Sequence, residues 1–268
     1  MATTTLDIDD YNLEEALKVV ANFGTDRFGF VVTPNTDHVI RYHRDAKFRA
    51  LYAQANYVLL DSRFLAHTVG LIKRQVFRVC LGSDLTTAVL SSIVEPSDVT
   101  VLVGGTPKQA EQLRQRFGLR ALQHIDPPMG FIRDPEAVED CLRQIEAVGP
   151  FRFCFLAVGS PQQEILAQKL KERGRVRGLA LCVGAAIDFL TGIERRAPLW
   201  MQKAGFEWFH RLTQNPRRLW KRYLLNGPPI IFLLLGSVEL RLRRTPVSAP
   251  LPVPAKNLGI APPGVRAL

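Results

Sequence analysis

Asp61 is the carboxylate of this sequence whose position best suits acid–base chemistry. It follows a run of apolar residues from Tyr57 to Leu60 and precedes a stretch with helical spacing, Ser62 to Lys73. A carboxylate placed there could take the proton of a hydroxyl group while that hydroxyl attacks an electrophilic carbon. It could equally cap the helix or lie in a loop. The residues alone leave both interpretations open.

Small and polar residues follow most of the other apolar runs. The candidate binding residues at these points are Thr33, Asn35, Gly104, Gly105, Gly159 and Ser160. Backbone amides and helix N-termini could cradle a nucleotide or a sugar there, although Asn35 could simply cap the next helix. The segments 106–109 and 160–163 also have the form of capping boxes that end at Gln109 and Gln163.

Basic residues are concentrated late in the chain. Between Arg195 and Arg222 there are eight Lys or Arg and one acid, Glu207, and Trp, Phe and Tyr are interleaved with them. Such a segment could be a solvated surface, an element lying on anionic lipid, or a diphosphate clamp. The candidate diphosphate contacts within it are Arg211, Arg218 and Arg222. Earlier in the chain, Arg78 could be a further diphosphate contact or a surface charge.

The apolar runs themselves predict strands that alternate with helices. We predict strands over 28–33, 57–60, 78–81, 100–103, 151–158 and 179–183, with one helical stretch spanning 36–55. Continuous apolar strands alternating with helices are typical of an α/β fold, a parallel sheet with helices on both faces. The carboxyl ends of such strands meet at one edge, where ligands bind.

Composition places limits on the partners of the chain. The 268 residues carry a net charge of +10, which favours polyanionic partners such as nucleic acid, anionic lipid or phosphorylated substrates. The start lacks the pattern of a secretory signal, so a cytoplasmic protein is expected. The four cysteines have no pairing or zinc spacing and are expected to be reduced core thiols. Asp7-Ile8-Asp9 has a metal-binding form but is expected at the surface, so no metal or other cofactor is predicted.

Several segments taken together resemble a known family. In chain order they are TPNTDHV, VLLDS, LGSDL, LVGGTP, VGSPQQE, VGAAIDFLTG, RRAPLWMQKAGFEWFHRL and NPRRLWKRYL. They are similar to the WecG/TagA/CpsF glycosyltransferases, glycosyltransferase family 26. The resemblance implies a Rossmann-like core over residues 1–194 and a helical, basic C-terminal appendage over 195–245. The proline-rich residues 246–268 lie beyond it and are expected to be disordered.

The resemblance also implies an activity. Family members transfer N-acetylmannosamine, its uronic acid or glucose from a UDP-sugar to a sugar on polyprenyl diphosphate, with inversion, in the synthesis of surface polysaccharides. The implied location is the inner face of the plasma membrane, on an anionic surface, with possible self-association and without nucleic acid. In this reading Asp61 is the catalytic base. The implied binding residues are Thr33, Asn35, Arg78, Gln163, Arg211, Arg218 and Arg222.

Two departures from the family pattern affect these expectations. Ser62 stands where the family commonly has Gly after the catalytic Asp, so the donor preference could differ. Gln162 stands where the family usually has Lys. An alternative of another class is a non-catalytic nucleotide- or RNA-binding protein that stacks bases on Trp208 or Trp220.

Overall fold

The computed structural model describes residues 3–198, 200–201, 204, 206–214, 216 and 229–243. The strands are β1 (Thr4–Asp9), β2 (Phe28–Val32), β3 (Tyr57–Val58), β4 (Thr100–Val103), β5 (Leu122–Ile125), β6 (Phe153–Leu156), β7 (Gly178–Cys182) and β8 (Val238–Arg243). The helices are α1 (Leu13–Ala21), α2 (Thr36–Arg44), α3 (Ala46–Ala53), α4 (Arg63–Lys73), α5 (Gly82–Ser92), α6 (Pro107–Phe117), α7 (Pro135–Ala147), α8 (Gln162–Arg173), α9 (Ala186–Leu190), α10 (Glu207–Gln214) and α11 (Pro229–Gly236). A short 3₁₀ helix, Phe131–Arg133, precedes α7.

Six strands form one sheet in the order β3-β2-β7-β6-β4-β5, and every pairing in it is parallel. The residues of β4 and β6 are all buried, because helices cover both faces of the sheet. Leu166 of α8 and Ile145 of α7 pack on one face, and Val20 of α1 and Leu113 of α6 pack on the other. The predicted α/β fold with helices on both faces is therefore confirmed.

Some predicted elements differ from those observed. The helical stretch predicted over 36–55 is two helices, because Asp45 ends α2 and accepts a hydrogen bond from the amide of Lys47 at the start of α3. The predicted strand 78–81 is not part of the sheet ladder, although the Cys80 amide donates to the carbonyl of Leu60 at 3.0 Å. The four cysteines are buried and free, as expected.

A second, two-stranded sheet joins the start of the described chain to its end. β1 pairs in parallel with β8, with Thr4 opposite Val238 and Asp9 opposite Arg243. The segment predicted as a helical appendage thus also contributes a strand. The expectation that Asp9 lies at the surface is wrong, because its side chain is 0% exposed and pairs with Arg243 at 2.8 Å.

The apolar segment that begins at Ile230 belongs to the packed interior. Helix α11 packs against α2, α4 and β8, and its Ile230 and Leu234 side chains are buried, whereas Leu235 is exposed. Within the described ranges, no helix combines the length and the apolar character needed to cross a bilayer. The proline-rich segment 246–268 and its predicted disorder lie outside the described residues.

Candidate active site

Asp61 lies at the carboxyl edge of the sheet, three residues after β3. Its amide donates to the carbonyl of Pro34 beyond β2 at 2.9 Å, and its Oδ1 accepts from the amide of Gly82 at 3.1 Å. Gly82 is the first residue of α5. The Asp61 backbone is therefore held at the end of a neighbouring strand, and its carboxylate lies against a helix N-terminus, whose partial positive charge attracts anions.

Thr33 and Asn35 flank the same edge. The Asn35 side chain caps α2 by accepting from the amides of Asp37 and His38, so the capping interpretation is confirmed. The Thr33 hydroxyl donates to the carbonyl of Cys182, the last residue of β7, at 3.4 Å. A Cβ atom added at Gly82 would lie 2.9 Å from the Thr33 hydroxyl oxygen, so the chain approaches closely only because residue 82 has no side chain.

Gly104 and Gly105 form the turn after β4. Both have positive φ angles, 89° and 73°, which residues with a Cβ rarely adopt. Helix α6 follows, and the predicted capping box between Thr106 and Gln109 is confirmed. The Gln109 side-chain amide also donates to Asp188 of α9 at 3.0 Å. This turn is therefore tied to the element that follows β7.

Gly159 and Ser160 form the turn after β6, but the predicted capping box at this point is wrong. Helix α8 begins at Gln162 with Pro161 as its N-cap and without a side-chain cap. The Gln163 side chain turns inward instead, where its Oε1 accepts from the amide of Gly184 at 2.9 Å. The Ser160 hydroxyl accepts from the Arg41 guanidinium of α2 at 3.2 Å.

Glu164 is a buried acid next to the candidate residue Gln163, and the sequence interpretation did not single it out. Its side chain is buried, and its Oε1 accepts from the Gln163 amide at 2.9 Å. Burial raises the pKa of the Glu164 carboxyl to about 7, and the hydrogen bond from Gln163 opposes this rise in part. Its position in α8 was the available signal. A Glu at the third position of a helix often accepts a hydrogen bond from the backbone amide of the N-cap residue. The N-cap of α8 is Pro161, which has no amide hydrogen, so the Glu164 side chain has to find another partner.

The raised pKa of Glu164 predicts a pH-dependent cost to folding. The folded-state pKa of about 7 lies above the ordinary value of 4.5, so this group favours the folded state most below pH 4.5 and loses that contribution as the pH rises to 7. Glu164→Gln cannot ionise. The free energy of unfolding of the variant minus that of the wild type should rise by on the order of 2 kcal/mol between pH 5 and pH 8.

Urea unfolding at several pH values measures this difference. Glu172→Gln on the exposed face of the same helix is the matched control and should show no such rise. Equal pH dependence of the two variants would contradict the buried, proton-binding state of Glu164.

Arg78 has described partners away from this edge. Its guanidinium contacts Glu15 of α1 at 2.5 Å and Asp10 at 4.0 Å. The hydrogen bond to Glu15 raises the pKa of Arg78 above its usual range. The structure therefore does not bring Arg78 into contact with Asp61, and its predicted role in the pocket stays a prediction.

The basic segment reaches the Asp61 edge through ion pairs. Arg196 contacts Asp84 in the first turn of α5 at 2.5 Å. Arg63, the first residue of α4, lies 4.0 Å from Asp84 and 3.8 Å from Glu207. Helix α10, which begins at Glu207 and contains Arg211, is thereby placed beside the helices that follow Asp61 and Gly82. The candidates Arg218 and Arg222, and the side chain of Arg211, lie outside the described residues.

These features define an α/β protein whose polar turns and Asp61 carboxylate lie at the carboxyl edge of a parallel sheet, the edge where folds of this class bind their ligands. Within the described part of the chain, no three His, Cys, Asp or Glu side chains converge as a metal site would require. Residues 1–245 match the sequence model of the Glycosyl transferase WecG/TagA/CpsF family, and the chain belongs to this family.

Family membership makes the protein an enzyme, a glycosyltransferase, and implies sugar transfer in the synthesis of cell-surface glycans. The match confirms the resemblance drawn from the sequence motifs. It also sets aside the alternative of a non-catalytic nucleotide- or RNA-binding protein.

Proposed function

We propose that this glycosyltransferase transfers a sugar from a UDP-sugar to a sugar linked to polyprenyl diphosphate, with inversion at the anomeric carbon. The donor would carry N-acetylmannosamine, its uronic acid or glucose, and the product would belong to a surface polysaccharide or exopolysaccharide. In this reaction one hydroxyl of the acceptor attacks the anomeric carbon, and UDP leaves from the opposite face. The attacking hydroxyl loses its proton to a base of the enzyme.

The position of Asp61 is the observation that carries this proposal. A general base must lie at the ligand crevice in its ionised form and within reach of the attacking hydroxyl. Asp61 lies at the carboxyl edge of the sheet, and the Gly82 amide donates to its Oδ1 at 3.1 Å, which stabilises the carboxylate. A single base that takes the acceptor proton supports the one displacement that an inverting transfer requires.

The turns at Gly104-Gly105 and Gly159-Ser160 support binding of the donor. Each of these turns precedes a helix, α6 or α8, so backbone amides with partial positive charge lie at the carboxyl edge of the sheet. Thr33, Asn35 and Gln163 complete the polar lining that we propose for the donor sugar and the uracil base. We further propose that Arg78 contributes to the donor pocket after it leaves Glu15.

The basic segment supports a polyanionic acceptor at a membrane surface. We propose that Arg211, Arg218 and Arg222 contact a diphosphate group, since guanidinium groups make paired hydrogen bonds to phosphate oxygens. The exposed side chains of Trp200, Phe206 and Phe209 would lie against the cytoplasmic face of an anionic bilayer. Self-association of the chain stays a prediction that sedimentation would test.

A transfer assay with purified protein tests the proposal. The protein is incubated with a panel of UDP-sugars and a polyprenyl-diphosphate-linked sugar, and the lipid product is identified by its mass. We expect one UDP-sugar to extend the acceptor by one sugar residue with inverted configuration. Lack of transfer from every UDP-sugar, combined with transfer from a sugar linked to another nucleotide, would contradict the proposed donor class.

We predict that the reaction does not need a divalent metal ion. Cationic side chains and helix N-termini can stabilise the leaving diphosphate, so removal of metal by EDTA should leave kcat within about twofold of the untreated enzyme. The measurement compares initial rates after EDTA treatment with rates after re-addition of Mg²⁺ or Mn²⁺. A loss of more than tenfold that either ion restores would contradict the prediction.

A further inference from the structure

Glu164 is buried beneath the turn that the proposed function assigns to the donor. Its Oε1 accepts from the Gln163 side-chain amide, and Gln163 Oε1 accepts from the Gly184 amide, each at 2.9 Å. The two ends of an amide are chemically different, because one donates and the other accepts. An acceptor at Glu164 therefore forces Gln163 to present its oxygen to Gly184.

This chain of hydrogen bonds joins two strand ends at the crevice. Gln163 lies in the first turn of α8, which follows β6, and Gly184 follows β7 with a φ of 52°. If the Gln163 amide turned over, its nitrogen would face the Gly184 amide, and two donors would oppose each other. The partly buried Gly184 amide would then lose its partner, which is costly.

The surroundings of Glu164 favour its protonated form over the ionised one. The Ser160 hydroxyl lies near enough to stabilise a charge on the carboxyl, yet Oε2 accepts no hydrogen bond of good geometry from the described residues. The hydrogen bonds of Glu164 would offset only part of the free-energy cost of burying an ionised carboxylate there. The protonated acid keeps a carbonyl oxygen that can still accept from Gln163.

The ionisable groups that face Glu164 come from three other elements. Arg41 of α2 lowers the pKa of Glu164, while the charge of Glu164 adds to burial in raising the pKa of Tyr52 and of Cys182. Tyr52 and Cys182 therefore stay neutral between pH 6 and 8. The Tyr52 hydroxyl also lies 3.2 Å from His38 Nδ1.

We propose that Glu164 is a positioning residue for the transfer reaction, which holds the Gln163 amide in one orientation and thereby fixes Gly184 and the start of α8 around the donor. This inference rests on the proposed function, because that function places the donor at these turns. The protonated acid is the competent form. Ionisation of Glu164 puts a negative charge beneath a negatively charged donor and weakens its binding.

Three variants test this role. Glu164→Met fills a similar volume but accepts no hydrogen bond, and we expect it to raise the donor KM roughly tenfold with a smaller change in kcat. Glu164→Gln keeps the acceptor and should stay within about threefold of the wild type at pH 6. Glu172→Met, on the exposed face of α8, should leave both constants unchanged.

The pH profile separates positioning from a merely structural role. Wild-type kcat/KM for the donor should fall between pH 6 and pH 8 with a transition near 7, and the Glu164→Gln variant should lack that transition. The proposal is overturned if the profiles of the two enzymes superimpose, or if Glu164→Met has the donor KM of the wild type.

Hydrogen exchange gives a readout that does not depend on activity. Exchange at the Gly184 amide should be at least about tenfold faster in Glu164→Met than in Glu172→Met, because loss of orientation at Gln163 exposes this amide. If the wild type transfers no sugar from any UDP donor, the proposed function fails, and the exchange result alone decides the role of Glu164. Equal exchange at Gly184 in the two variants would overturn the proposal.

Discussion

Replacing Asp61 with Asn is expected to lower kcat by about 10²–10⁴, the usual contribution of a general base. The Asn side chain has nearly the same shape and keeps an oxygen that can accept from the Gly82 amide. It cannot take the proton of the acceptor hydroxyl. The donor KM should change by less than about threefold, because the interaction that is lost belongs to the transition state. Initial rates with saturating donor and acceptor measure the effect.

Asp98→Asn is the matched control for this experiment. Asp98 precedes β4 at the opposite, amino edge of the sheet, where its carboxylate accepts from the Glu95 amide at 2.8 Å. The same chemical change there should leave kcat within about twofold of the wild type, since Asp98 does not line the crevice. If Asp61→Asn kept full turnover, Asp61 would have no part in the mechanism.

Arg243→Met is expected to lower the free energy of unfolding by about 3 kcal/mol at pH 7, because it leaves the buried Asp9 carboxylate without its cation. Arg243 makes two hydrogen bonds to Asp9, each 2.8 Å long, and the Asp9 side chain is 0% exposed. The amide of Val58 also donates to this carboxylate at 2.8 Å. A backbone amide carries no full charge, so it cannot replace the guanidinium beside a buried carboxylate. Urea unfolding at pH 7 measures the loss.

The neighbouring pair in the same two strands supplies the control. Arg241 pairs with Asp7 at 2.6 Å, but the two side chains are 66% and 39% exposed. Water and salt screen such a pair, so Arg241→Met should lower the free energy of unfolding far less than Arg243→Met does. Equal losses for the two variants would show that burial of Asp9 does not set the strength of its ion pair.

Local sequence signals predicted the parts of the site that depend on neighbours in the chain. The capping roles of Asn35 and Thr106 follow from side chains that reach amides two or three residues ahead. The same pattern failed at Ser160. There the Gln163 side chain accepts a hydrogen bond from the amide of Gly184, 21 residues away, and does not accept from the amide of Ser160. A capping rule cannot include a partner that only the folded sheet brings close.

Long-range pairing also explains the strands and the buried acids that were not predicted. The residues of β8 alternate between apolar and charged types, a pattern that fits a strand with one buried face. Their partner β1 is more than 200 residues earlier in the chain, so neither segment alone indicated a sheet. The burial of Asp9 depends on that pairing, and the burial of Glu164 depends on the packing of α8 against α3, β2 and β7.

The pairing of β1 with β8 has a consequence for how the basic segment is held. A chain that is fixed at only one end can sample a wide volume, whereas one fixed at both ends has a high effective concentration at the surface between them. Arg196 attaches the segment to α5 at one end, and β8 attaches it to β1 at the other. A truncation after residue 194 would therefore also remove the neighbouring strand of β1 and deprive Asp9 of its counter-ion.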